Sequence, residues 1–210
     1  MIEETPRSIS QVLLELQETL PRKKICTFDI LEALHERGFG FLLFIFALPA
    51  ALPIPGLGIN TIIALPLFFL TTQQMLGRKS LWIPEALKYK SVSRSFFEKV
   101  VSKSLPYIKK IEFFLKPRLG FVTQGVFSNL IGLAGLIMAL SVTIPLPLTN
   151  TVPAMGVALM ALGVIMRDGL AVIFGAIVGL AWVAMLVYVT IFLGTEGLDL
   201  IKETIKSFIS

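Results

Sequence analysis

Charge is what this sequence withholds. No charged residue lies between Arg37 and Arg78, and the interval 119–195 holds only Arg167 and Asp168. Only 16% of the chain is charged, whereas a soluble globular domain has roughly 25%. With 55% hydrophobic residues and a mean hydropathy of +0.81, the composition is that of an integral membrane protein of one domain. Cysteine is nearly absent as well. Cys26 alone excludes an intramolecular disulfide and a multi-cysteine metal site, and it reads as a small side chain on a cytosolic helix. The single histidine, His35, sits beside Glu32 and Glu36 and reads as a solvated helix-end residue. There is no His/Asp/Glu metal cluster, and a Ser-His-Asp arrangement has no histidine but His35 to draw on. No enzyme, metal or cofactor is therefore expected. The first 30 residues lack an apolar stretch behind a basic start, so no cleaved signal peptide is expected.

The charge that is present is unevenly spread. Residues 77–118 carry eleven basic and three acidic side chains, whereas residues 1–38 carry five and seven. The basicity belongs to one connection. By the positive-inside rule, that connection faces the cytoplasm and meets anionic lipid headgroups. No aromatic-basic motif argues for nucleic acid.

Proline and glycine are concentrated where a membrane helix least tolerates them. Ala51-Leu-Pro-Ile-Pro-Gly-Leu-Gly-Ile-Asn-Thr61 breaks the first long apolar run, and Thr143-Ile-Pro-Leu-Pro-Leu-Thr-Asn-Thr-Val-Pro153 breaks the second. Non-helical backbone at membrane depth survives only inside protein or along a wet cavity. The two breaks align as Pro53-Ile-Pro55 on Pro145-Leu-Pro147 and, after a two-residue gap, Asn60-Thr61 on Asn150-Thr151. Each is followed by a short apolar helix and an arginine, Arg78 or Arg167. Paired interrupted segments in two halves point to a transport site between repeats.

The expected fold is all-α, with two Pro-broken hairpins, re-entrant or discontinuous, forming an internal repeat. Amphipathic N-terminal helices occupy 1–38, one over 8–20 with Ser8 as N-cap, and one over Thr27–Arg37 stopped by Gly38. Repeat 1 covers 39–76, and the basic connection 77–118 is a helical stretch divided by Pro106. Repeat 2 covers 119–168, a spanning helix 169–193, and a tail 194–210. Small residues Gly175, Ala176, Gly179 and Ala181 on the spanning helix permit close helix contact and a homodimer.

The candidate binding residues are Asn60, Gln74, Arg78, Asn150, Arg167 and Asp168, polar or charged groups next to or inside the apolar runs. Amides supply donors and acceptors, and arginines position anions. Asp168 needs a partner beyond its neighbour Arg167, either Arg78 or Arg118, because adjacent helical residues do not face each other. Pro53, Pro55, Gly56, Pro145, Pro147 and Pro153 shape the site.

Taken in order, Leu52-Pro-Ile-Pro-Gly56, Gln74-Met-Leu-Gly-Arg78, Trp82-Ile-Pro84, Pro145-Leu-Pro147, Asn150, Pro153-Ala154 and Gly163 through Arg167-Asp168-Gly169 resemble the ExoD family, from about Ser8 to Gly197. Leu148 stands after Pro147 where Gly56 follows Pro55, so the two loops are not strictly alike. The resemblance implies a multi-pass protein of the bacterial inner membrane linked to exopolysaccharide production. The leading expectation is transport or flipping of an ion, lipid or lipid-linked glycan. The alternative is a scaffold that binds the exopolysaccharide machinery without moving substrate.

Overall fold

The computed structural model describes residues 10–11, 14–15, 18, 24–26, 37–51, 59–78, 81–82, 91–144 and 150–209. At 24–26, 59–63, several positions between 91 and 107 and most positions after 194, only the backbone is described. The elements are β1 (Lys24–Cys26), α1 (Arg37–Ala51), α2 (Ile59–Met75), β2 (Ser91–Ser93), α3 (Arg94–Phe114), a 3-10 turn (Gly120–Thr123), α4 (Gly125–Thr143), α5 (Thr151–Met166) and α6 (Gly169–Ile209). The described fold is helical apart from one antiparallel ladder, in which Ile25 lies opposite Val92. Cys26 therefore stands in a strand, not on a helix. Its β-branched neighbours Ile25 and Val92 favour the pleated conformation.

Three expected boundaries are corrected. Gly38 does not stop a helix, since it lies buried in the first turn of α1. Pro106 does not divide the basic connection, because α3 runs through it. Pro153 is not part of a break either. It sits in the first turn of α5, where a missing N–H costs no helical hydrogen bond. The expected cap at Ser8 and the expected helix stretch before Arg37 lie outside the described residues. Ser10 does adopt helical backbone, and its N–H and hydroxyl both donate to the Glu112 carboxylate at 2.8 Å, tying the N-terminal segment to α3.

Five helices make the core. α1 packs on α5 and α2, α2 packs on α4, and α6 packs on α5 and α4. Their directions follow from close approaches. Gly40, near the start of α1, lies against the end of α5, where an added methyl would meet the Ala161 carbonyl at 2.9 Å. Gly132, near the start of α4, lies directly on the backbone of Gln74 and Met75 at the end of α2, and Gly135 one turn on faces Thr71. Gly163 meets Val172, and Gly156 meets Gly175. So α1/α5, α2/α4 and α5/α6 all run antiparallel.

It follows that both hairpins open at the same end. The starts of α1, α4 and α6 and the ends of α2 and α5 share one end of the bundle. The end of α1, the start of α2, the end of α4 and the start of α5 share the other, and both chain breaks belong there. We call these the charged end and the broken end. Arg78, Arg118, Arg167 and Asp168 all flank helix termini at the first.

Buried apolar side chains fill the space between the helices, with Leu67, Met138, Val142 and Val157 fully enclosed. Met138 of α4 reaches between Gly156 of α5 and Gly179 of α6, so one flexible thioether joins three helices. Gly175 and Gly179 are thus used within the chain, while Ala181 is exposed.

Two helices, Gly125–Thr143 and Gly169–Phe192, are long and apolar enough to cross a membrane. Only 39% and 28% of their apolar windows are buried, whereas the core helix of a soluble protein is mostly enclosed. Their outer faces carry Leu130, Leu133 and Leu140 on α4, and Phe174, Ile177 and Ile191 on α6, all exposed. Such a continuous apolar surface suits lipid better than water.

Candidate functional site

The six candidate binding residues do not form one cluster. Asn60 is the second residue of α2, with only its backbone described, and Asn150 is the buried N-cap residue of α5; both lie at the broken end. Gln74, Arg78, Arg167 and Asp168 lie at the charged end. The length of α5 separates the groups by about 24 Å. Pro53, Pro55, Gly56, Pro145 and Pro147 lie outside the described residues, and Pro153 is fully buried beneath Asn150 in α5.

At the broken end, the Asn150 side chain makes no capping bond to α5, while its carbonyl accepts from the Ala154 N–H at 3.0 Å. The side chain of Asn150 therefore does not satisfy the first amides of α5.

At the charged end, α2 and α5 terminate in the same way. Gly77 is left-handed at φ 66°, its N–H donates to the Gln74 carbonyl, and the Arg78 N–H donates to the Gln73 carbonyl. Arg167 is left-handed at φ 55°, its N–H donates to the Val164 carbonyl, and the Asp168 N–H donates to the Gly163 carbonyl. Both are Schellman terminations. The structural counterpart of Arg167 is therefore Gly77, not Arg78, and Asp168 falls opposite Arg78.

Asp168 is 2% exposed and its carboxylate is saturated by backbone. Oδ1 accepts from the Leu170 and Ala171 N–H groups at 3.1 and 3.3 Å, capping α6, and Oδ2 accepts from the Lys116 N–H at 3.1 Å. The Gly169 N–H donates to the Arg118 carbonyl at 2.6 Å, so the segment before α4 is laced to the α5–α6 junction. The expected side-chain partner, Arg78 or Arg118, is replaced by these amides; Arg118 contributes its backbone alone. The reason is geometric. A carboxylate at an N-cap already faces two free N–H groups of its own helix.

Three buried polar residues of α2 complete this end. The Thr71 hydroxyl donates back to the Leu67 carbonyl at 2.8 Å. Gln73 clasps the backbone of Trp82, accepting from its N–H at 2.7 Å and donating to its carbonyl at 3.1 Å. The Trp82 ring lies 5.1 Å from that of Phe69. Gln74, 4% exposed, donates to the Ser128 hydroxyl at a long 3.4 Å, and its Oε1 has no partner. The Gln73–Trp82 clasp and the Ser128 contact escaped the sequence reading; the one signal was two adjacent glutamines closing an apolar run.

The hairpins correspond well beyond the breaks. The step from Pro53 to Pro145 also carries Gly40 onto Gly132, and these two glycines make equivalent close contacts with the end of the facing helix. The same step carries Ile45 onto Ile137 (45% and 39% exposed), Leu48 onto Leu140 (46% and 50%), and Ala47 onto Ala139, both fully buried. Past the gap, the step from Asn60 to Asn150 carries Ala64 onto Ala154, both fully buried, and Leu65 onto Met155 (59% and 56%).

The family described as "Exopolysaccharide synthesis, ExoD" matches residues 9–188. An uncharacterized protein of Synechocystis sp., slr1875, is 34% identical over 183 residues, covering 85% of this chain and 86% of that one. Protein ExoD of Rhizobium meliloti is 26% identical over 176 residues, covering 82% of this chain and 73% of that one. No solved structure matches.

Proposed function

Since the chain belongs to the ExoD family of exopolysaccharide-synthesis proteins, we propose that it is a transport or flipping protein of the bacterial inner membrane, built from a tandem repeat of two re-entrant hairpins. Its substrate is an ion, a lipid or a lipid-linked glycan. The observation that carries this reading is the placement of both breaks at one end of antiparallel helix pairs. The repeat is of the parallel kind, because a two-fold axis along the helices maps the α1/α5 contact onto α4/α2. Both hairpins enter from the charged end, which faces the cytoplasm with the basic connection. α1, α2 and α5 are about 22, 25 and 24 Å long, short of a hydrocarbon core of roughly 30 Å. They turn before crossing fully, and α6 passes through.

In this reading Asn60, Asn150 and the uncapped start of α5 hold the substrate at the broken end. Gln74, Arg78 and Arg167 receive it at the cytoplasmic end, and Asp168 positions Arg167. Lys109, Lys110, Lys116 and Arg118, all exposed beside exposed Phe113 and Phe114, rest on anionic headgroups.

The test is flux. Proteoliposomes loaded with a pH-sensitive dye, and others carrying fluorescent lipid in one leaflet, report ion and lipid movement. Movement that falls by about tenfold in Asn60→Ala/Asn150→Ala supports transport. Absence of movement for every ion and lipid tried, with exopolysaccharide output unaffected by that double variant, sinks it in favour of a scaffold.

A further inference from the structure

Among the described residues, α2 buries polar side chains over its last turn where α5 does not. Where α2 places Thr71, Gln73 and Gln74, the matching positions of α5 are Ala161, Gly163 and Val164, all buried. Thr71 and Gln73 have their partners, but Gln74 does not. Its Oε1 is a buried acceptor with nothing to accept, which is destabilising. A valine is what the second hairpin uses at that point, at no such cost.

The amide is aimed at the first turn of α4, where Ser128 stands. That helix is left uncapped. Gln124 makes no side-chain capping bond, so the N–H groups of the first turn point outward with their partial positive charge. Asn129, half-buried, packs its carboxamide on Gly77, within 3.2–3.6 Å of where a methyl there would lie, and the exposed Arg78 follows. An acceptor, two hydroxyl or amide side chains and free helix amides thus meet at one edge of the charged end, with the exposed Arg78 next in sequence to Gly77.

We propose that this edge, between the end of α2 and the start of α4, is a binding site for a phosphate ester that carries a free hydroxyl. The hydroxyl donates to Gln74 Oε1, and the phosphate takes the α4 amides and Arg78. This site uses Gln74 and Arg78, which the transport reading also places at the cytoplasmic end, but its occupation does not require that the protein move anything.

Thermal unfolding of the purified protein in detergent tests it with four probes. Phosphatidylglycerol offers both groups, phosphatidylethanol offers the same phosphodiester without the hydroxyls, phosphatidylcholine offers no net charge, and sn-glycerol 3-phosphate is the free ester. Phosphatidylglycerol is expected to raise the unfolding temperature at about tenfold lower concentration than phosphatidylethanol, and phosphatidylcholine not at all. Gln74→Met should unfold no lower than wild type and lose the preference for phosphatidylglycerol. Arg78→Ala should weaken both anionic lipids alike. Gln74→Leu is the second variant if Gln74→Met does not fold. Glycerol 3-phosphate matching phosphatidylglycerol identifies the soluble ester as the source, and its failure to do so identifies the lipid. Equal responses to the two phosphodiesters in wild type, or a preference that survives Gln74→Met, overturns the proposal. None of these outcomes depends on flux.

Discussion

The two hairpins share a frame and differ in their cargo. Gly40 and Gly132 seat equivalent helix crossings, Leu48 and Leu140 face outward alike, and Ala47 and Ala139 are both sealed in. Yet the first hairpin has prolines inside its helices, Pro49 and Pro66, where the second has Ser141 and Gly156. The first buries Thr71, Gln73 and Gln74, and the second is apolar at those positions until Asp168. The first ends on Gly77 and Arg78 and the second on Arg167 and Asp168, with identical turn geometry. The common features are those that packing demands. Apart from the prolines, the differing ones are polar and sit at the charged end.

That comparison breaks most sharply at its glycines. Gly132→Leu drives a side chain into the backbone of Gln74 and Met75, and should destabilise by about 3 kcal/mol, read as loss of folded protein in detergent. Gly40→Leu should do nearly the same. A well-tolerated Gly40→Leu would show that the two crossings are not equivalent.

Asp168→Ala removes an acceptor for three backbone amides and should cost about 2 kcal/mol, measured as a lowered unfolding temperature. Asp168→Asn keeps the acceptor for Leu170 and Ala171 but turns an NH2 toward the Lys116 N–H, and should cost about 1 kcal/mol. If Asp168→Asn keeps stability and loses exopolysaccharide output, the charge has a task beyond capping.

The turn residues give the smallest and cleanest contrast. Arg167→Gly relieves a left-handed arginine and should stabilise by about 0.5–1 kcal/mol, whereas Gly77→Ala should destabilise by about 1 kcal/mol. Opposite signs from two equivalent positions are the expected result of thermal melts. Two changes of the same sign would undo the pairing of Gly77 with Arg167.

Much of this frame is legible in the residues. The apolar runs give the helices α1, α2, α4 and α5, and α2 and α5 end just before Gly77 and Arg167, while the breaks themselves lie outside the described residues. What the residues do not carry is direction. Whether the second hairpin enters from the same side as the first is decided by which glycine meets which helix end, and Gly40 and Gly132 reveal that only once α5 and α2 lie beside them. The same holds for Asp168. In sequence it is a rare charge in an apolar interval, which reads as a ligand. In three dimensions a helix starts immediately after it, and its oxygens are consumed. The arginine pairing failed for a related reason, since Arg78 was matched to Arg167 by type while the turn geometry matches by backbone. A proline usually ends a helix, yet α3 continues through Pro106.

The unequal reach of the helices has a consequence for the surrounding bilayer. α6 runs about 36 Å to Phe192, while α1, α2 and α5 stop at about 22–25 Å. If the chain sits in a bilayer as proposed, it would offer lipids two different thicknesses. Acyl chains beside α6 would stand at full height, and those beside α1, α2 and α5 would be compressed, bringing the far headgroups down toward the level of Asn150. A thinned flank shortens the distance that anything polar must travel, and the cost of keeping it thin falls on the lipid and not on the fold.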